Sequence, residues 1–259
     1  MAENNVTRTD RYRKWLIATC AVATLSLGPN AAGAVDACPV PAADHIPAVP
    51  SGPLNIGTIK PLLVDYHVKF YNDDVAAVFD SAQKFMEKNA AQSKRPVIVL
   101  DIDETSLTNW PNLAADDFGF VAGGSCDVLP AGPCGFNRWI LSSNAEAIGP
   151  ALKLFKAAKL IGVGVIFITG RPDSQRDATV INLEHAGFDG WTELHTRPDR
   201  DPRTVQQYKT DERIAVEKEP EGYTIIANVG DQWSDLRGDS TGDHGGCPFK
   251  VPNPFYFIP

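Results

Sequence analysis

Three apolar runs in this chain each stop at polar atoms. Val97–Leu100 runs into Asp101 and Asp103, "VGVIFI" (163–168) into Thr169 and Gly170, and "IIANVG" (225–230) into Asp231 with Asp235 close behind. Continuous apolar runs of this length read as strands buried on both faces. Segments of helical period lie between them. Tyr71, Val75, Val78, Phe79, Ala82, Phe85 and Met86 form one stripe of a helix over 71–90, Pro150 can open a second over 151–161, and 173–187 reads as a third that Gly187 stops. Strands alternating with helices predict an α/β fold, a Rossmann-like, mostly parallel sheet with helices on both faces. Such sheets bind ligands beyond the carboxyl ends of their strands. The polar residues above stand at those ends.

Residues 106–145 break the pattern. They are rich in Gly, Asn, Asp and Trp, and read as a cap-like insertion over the active face with a short helix near "FNRWILS" (136–142). The expected organisation is a leader at 1–34, a Pro-rich arm at 35–60 and one domain at 61–259. Six prolines between 38 and 61 argue against a helix there.

The leader reading rests on order: Arg11, Arg13 and Lys14, then "WLIATCAVATLSLG", then Ala32-Gly33-Ala34. Charge, short apolar stretch and small-residue exit make an export signal, and the stretch is too short for stable membrane insertion. The expected location is therefore secreted or periplasmic. Cleavage removes Cys20 and leaves Cys38, Cys126, Cys134 and Cys247, an even set suited to an oxidising compartment. Of three pairings, Cys126 with Cys134 across a Gly/Pro loop is favoured, which leaves Cys38 with Cys247. With 24 basic and 32 acidic residues the net charge is −8, which disfavours a nucleic-acid polymer as partner and leaves room for a local pocket that takes one small anion. Composition leaves a homo-oligomer open.

Two carboxylates one residue apart would repel unless a cation relieved them. Hard oxygen ligands without clustered histidine favour magnesium, with Asp101, Asp103, Asp231 and Asp235 as the donor set. Thr169 and Gly170 offer a hydroxyl and an N–H to a phosphate-like oxygen, and Lys209 offers a mobile positive charge. Arg171 is a second anion contact or a salt-bridge partner. Trp110, Trp139, Phe118, Phe120 and Phe136 are candidates for an aromatic wall on which a nucleobase or aryl group would stack.

The set "DIDET", "FITGR", "YKTDER", "NVGDQWSDL" and "FKVPNPFYFIP" resembles the haloacid-dehalogenase (HAD) superfamily of aspartate-nucleophile phosphatases, in its secreted acid phosphatase branch, over roughly residues 60–259. The resemblance implies Asp101 as nucleophile, Asp103 as acid and then base, Thr169 as phosphate ligand, Lys209 as stabiliser of phosphoryl oxygens, and Asp231, helped by Asp235, as completing a magnesium site. The implied substrate is a small phosphomonoester, nucleoside monophosphates among the plausible ones. Rival readings are a storage or binding protein on the same fold and a phosphotransferase. Some members of the branch are storage proteins that lost the nucleophile, whereas this chain keeps Asp101. Membrane-attached relatives carry a lipidated cysteine near the start, for which Asp36 is a poor neighbour of Cys38.

Overall fold

The computed structural model describes residues 38–39, 55–218, 222–238 and 245–258. The leader at 1–34 and residues 35–37 and 40–54 of the arm lie outside them. Where the arm ends, the expectation fails: helix α1 already runs Ile56–Lys69 with Pro61 inside it, opened by the Asn55 side chain accepting from Gly57 N–H. The capping residue and five residues ahead of the proline suffice to start the helix, and Pro61 removes a single intrahelical donor.

Helix α2 spans Tyr71–Ala90 and buries the predicted stripe. Strand β1 (Pro96–Leu100) follows. The region after it holds β2 (Leu107–Thr108), α3 (Trp110–Ala115), α4 (Phe136–Leu141) and β3 (Glu146–Ala147), with β2 and β3 forming a small antiparallel pair. Then come α5 (Gly149–Leu160), β4 (Gly164–Pro172), α6 (Arg176–His185), β5 (Glu193–Arg197), α7 (Val205–Lys218), β6 (Thr224–Gly230), α8 (Trp233–Leu236) and β7 (Cys247–Lys250). One sheet of order β5-β4-β1-β6-β7 results, parallel throughout.

Side chains alternate across a strand, and the two faces sort accordingly. Ile98, Leu100, Val165 and Phe167 pack with α2 and α5, while Val97, Val99, Ile166 and Ile168 pack against Tyr208 and Val216 of α7. With layers on both sides, the polar chemistry is confined to the rim where β1, β4 and β6 end.

Both disulfides are present as expected. Cys38–Cys247 joins the N-terminal segment to β7, and Cys126–Cys134 closes a loop between α3 and α4. Among the described residues no helix is long and apolar enough to cross a membrane.

Candidate active site

The first question is how Asp101 and Asp103 avoid facing one another. Asp101 N–H still bonds Val229 O at 3.0 Å, so this residue continues the ladder of β1. The chain then turns: Ser106 and Leu107 N–H both donate to Ile102 O, and Glu104 takes a left-handed φ of 52°. Ser106 Oγ locks the bend by donating to Asp101 O at 2.6 Å. The two carboxylates consequently enter different environments.

Asp101 joins an ionic cluster. Lys209, one turn into α7, places Nζ 2.5 Å from Asp101 Oδ1 and 2.7 Å from Asp235 Oδ1. Oxygens of Asp101, Asp231 and Asp235 lie within 4.8 Å of one another, and all three residues are buried. Asp235 is held by the turn after β6. Its Oδ2 accepts Gln232 N–H at 2.8 Å, its carbonyl accepts from Asn228 and Arg213, and a Cβ at Gly230 would lie 2.4 Å from the Asp235 Cβ. Only glycine fits at that position. Asp231 is fixed by Gln232 Nε2 and Asn253 Nδ2, both at 2.7 Å, and by Thr105 Oγ1 at 3.2 Å.

Charge is out of balance here. Three buried carboxylates share one ammonium, and Lys250, also close, donates to main-chain carbonyls of Asp231 and Val251. Burial pushes the Asp101 carboxyl well up against the pull of Lys209, with Asp235 and Asp231 adding to the rise. Burial and then Asp235 push Asp231 up to about 6. Lys209 moves above its usual value because these carboxylates outweigh its own desolvation. An all-oxygen donor set with excess negative charge in a dry site suits a hard divalent cation such as magnesium.

Asp103 is not part of that cluster. It is gripped by Arg171, with Nη2 at 2.7 Å and Nε at 3.1 Å, and accepts Asn109 Nδ2 at 2.8 Å. Burial alone would raise its carboxyl, but Arg171 and Asn109 carry it below the usual range. Sequence reasoning placed Asp103 among the metal ligands; the bend at Ile102–Leu107 turns its carboxylate toward β4, which leaves the main-chain carbonyl as the atom it could offer a metal. Of the two roles left open for Arg171 the structure shows the salt bridge, to Asp103, and it places the residue in the lining of a cavity.

That cavity, of about 490 Å³, has Asp101, Asp103, Lys209, Asp231 and Asp235 for a floor. Phe118, Phe120, Phe136, Tyr256, Phe257 and Gly170 also line it. The two tryptophans assigned to substrate are not among the lining residues. Trp139 is buried and donates its indole N–H to Asn109 Oδ1 at 2.7 Å. Trp110 stacks flat on His67 of α1, ring centroids 3.4 Å apart, beside Phe118 and Phe255. Both spend their aromatic faces on the protein. Thr169 is fully buried too, with Oγ1 accepting Arg171 N–H at 3.2 Å, so its hydroxyl holds the strand end rather than opening onto the cavity.

Reading the sequence also passed over a supporting layer. Glu104 is buried and accepts from Asn109 N–H at 2.5 Å, Asn109 Nδ2 at 3.0 Å and Tyr256 Oη at 3.1 Å. Burial and then the Asp103 charge push it up to about 8. Asn109 thereby ties Asp103, Glu104 and Trp139 into one network. Nothing in a lone Glu or Asn signals this; only its place within "DIDETSLTN" hinted at it.

Comparison with known proteins follows the same geometry. Residues 58–259 match the family model of the HAD superfamily, subfamily IIIB (acid phosphatase). The chain is 34% identical over 190 residues to acid phosphatase 1 of Solanum lycopersicum, spanning 73% of this chain and 69% of that protein. It is 30% identical to the stem 28 kDa glycoprotein of Glycine max over 74% of this chain and 71% of that one. The class C acid phosphatase structure from Bacillus anthracis superposes with a TM-score of 0.60 at 23% identity, covering 79% of this chain and 87% of the other, a likeness of fold.

Proposed function

Since this chain belongs to the HAD superfamily, subfamily IIIB (acid phosphatase), we propose that it hydrolyses small phosphate monoesters through a phosphorylated Asp101. The observation that carries the reading is Asp101 itself, buried at the end of β1, neutralised by Lys209 at 2.5 Å and open to the cavity.

An Asp101 oxygen attacks phosphorus, and the bond to the leaving oxygen breaks on the opposite side. Lys209 pulls Asp101 toward its ionised form against the effect of burial and faces the charge that spreads over the phosphoryl oxygens. Asp103 protonates the departing alkoxide, then takes a proton from the water that attacks phosphorus and releases Asp101 and inorganic phosphate. For the first of these steps Asp103 must be a carboxylic acid, which Arg171 opposes while bound to it. A dianionic phosphate competes for Arg171 and adds negative charge beside Asp103, and both effects raise the Asp103 carboxyl toward the value an acid requires. Magnesium, held by Asp101, Asp231 and Asp235, would supply neutralisation of the phosphoryl charge.

The aromatic side of the cavity favours an aryl or nucleobase leaving group, nucleoside monophosphates included. An extracytoplasmic location is supported by the export-type order of residues 11–34 and by two disulfides. The test is trapping: wild-type enzyme quenched during turnover of a labelled aryl phosphate should carry hydroxylamine-sensitive label on the Asp101 peptide. Asp101→Asn should fold, carry none and turn over no substrate. Label on another residue, or near-normal turnover by Asp101→Asn, defeats the mechanism. Label that passes to an added alcohol in preference to water would make the enzyme a phosphotransferase, and a native protein with no turnover of any monoester would leave the storage reading.

A further inference from the structure

The Cys126–Cys134 disulfide lies away from the chemistry, yet the segment it closes returns twice to the cavity. Phe118 and Phe120 line it on the way out and Phe136 on the way back. Between these points the chain folds on itself. Phe136 N–H donates to Val121 O at 2.7 Å, Asn137 N–H to Ala122 O at 3.1 Å, and Gly135 N–H to Ser125 O at 2.9 Å. The first two of these bonds cap the opening turn of α4, and the disulfide sits one residue beyond the last, near the tip of an irregular arm whose base carries Phe120 and Phe136 with ring centroids 5.7 Å apart. The same tip is tied to α3, where Cys134 N–H donates to Asp116 Oδ1 at 2.7 Å and Cys134 O accepts Asn112 Nδ2 at 2.5 Å.

The Cys134 side of the arm is buried and anchored on α3, whereas the outgoing segment 120–125 is largely exposed and held by few backbone bonds. Phe120 is 77% exposed, so little packing fixes it. A covalent closure restricts the alternatives open to both returning segments. We infer that the Cys126–Cys134 bridge is a positioning element for substrate selectivity: it holds Phe120 against Phe136 so that the pair presents a fixed apolar face to the leaving group. This inference rests on the phosphatase reading above and deepens it. The floor, built on strand ends and α7, owes the bridge nothing.

The test uses benzyl phosphate and propyl phosphate, whose alcohols leave with similar ease and differ in the ring. The double variant Cys126→Ser/Cys134→Ser should keep kcat for propyl phosphate. Its KM for benzyl phosphate should rise about tenfold with kcat unchanged, the pattern of lost uniform binding. A merely structural role would lower the melting temperature or both kcat values without moving the benzyl-to-propyl ratio, and that result overturns the inference. Phe120→Ala closes a cycle. It should weaken benzyl phosphate in the bridged enzyme and add almost nothing in the bridge-free one, because neighbours that act through one another are not additive. Additive effects overturn it as well. Should the double variant not fold, Cys126→Ser alone, which spares the buried Cys134, runs the same comparison. If neither substrate turns over in wild type, the phosphatase reading fails; if both do and the ratio is unmoved by opening the bridge, only this inference fails.

Discussion

The floor and the wall of the cavity are built by opposite means. The floor places Asp101 and Asp231 at strand ends and Lys209 and Asp235 on the helices α7 and α8, each nearly inaccessible, and the carboxylates are cross-linked by hydrogen bonds from Thr105, Gln232, Asn253 and Asn228. The wall sets Phe120 on a loop, mostly exposed, and Phe136 at the first position of the short helix α4, with a disulfide where the floor has a sheet. Charges in a dry site gain strength from fixed geometry, since reorganisation would consume what they contribute to a transition state. Apolar contact is non-directional and survives on a looser support. Chemistry and selectivity are therefore separable in this molecule, and perturbations should fall on one or the other.

Metal removal is the largest such perturbation. Exhaustive chelation should abolish turnover of benzyl and propyl phosphates alike, and added magnesium should restore both with their ratio unchanged. Full activity of protein shown metal-free by elemental analysis would break the account of the floor. Recovery with zinc but not magnesium would leave the site and change its ion.

Next in size is Asp103→Asn. Loss of a positioned acid and base costs about 10²- to 10⁴-fold, and it should fall unequally on the two half-reactions. An aryl phosphate with a good leaving group needs little help to depart, so a burst of released phenol followed by slow phosphate release is expected in stopped-flow measurements. Uniform loss of both steps would show that Asp103 acts through Arg171 and not on protons.

How much of this was legible in the sequence follows the same division. Strands β1, β4 and β6 are central, buried on both faces, and so wrote themselves as apolar runs with polar ends. Strand β5, "ELHTR", lies at an edge and alternates in burial, and β7, "CPFK", has four residues at the other edge; neither leaves a run to find. Asp101 and Asp231 were approachable because charged residues beside apolar strand ends stand out, whereas the role of Lys209, inside α7, came only with the family resemblance. The partition between Asp101 and Asp103 was not approachable, because it depends on one left-handed residue at Glu104 and on Arg171 arriving from another strand. That Trp110 and Trp139 stand outside the cavity lining was hidden for a related reason. An aromatic residue looks the same in sequence whether its face meets a ligand, His67 or the core, and only the three-dimensional neighbours decide.

A smaller effect, on stability more than rate, should come from Lys209→Ala in chelator. Removing the ammonium that bridges Asp101 and Asp235 deprives both buried carboxylates of their ion-pair partner, and breaking such a group costs about 3–5 kcal/mol. Urea titration should show the loss in metal-free protein and a large part of it recovered with magnesium, since a divalent cation answers the same imbalance. Equal stability of variant and wild type in chelator would mean that one carboxylate takes up a proton and that Lys209 is dispensable to the folded floor.

The smallest effect tests whether the floor is braced from its edge. His195 of β5 stands between two carboxylates, Nδ1 at 2.7 Å from Glu212 Oε2 of α7 and Nε2 at 2.8 Å from Glu193 Oε2. Glu212 lies on the same helix as Lys209, one turn along. Burial would lower the imidazole, yet Glu212 and Glu193 outweigh it and raise it above 6.5. A group raised on folding contributes fully below its unfolded value of 6.5 and loses that contribution as pH climbs through the folded one. His195→Gln should thus lower the melting temperature at mildly acidic pH and converge with wild type in alkaline buffer. All three side chains are partly exposed, Glu193 at 39%, so screening holds the difference to about 1 kcal/mol or less. The ratio of benzyl to propyl phosphate turnover should not move, because no atom of this triad reaches the aromatic arm. A pH-independent difference would reduce His195 to packing. A shifted ratio would show that floor and wall communicate through α7, and the separation of chemistry from selectivity would have to be given up.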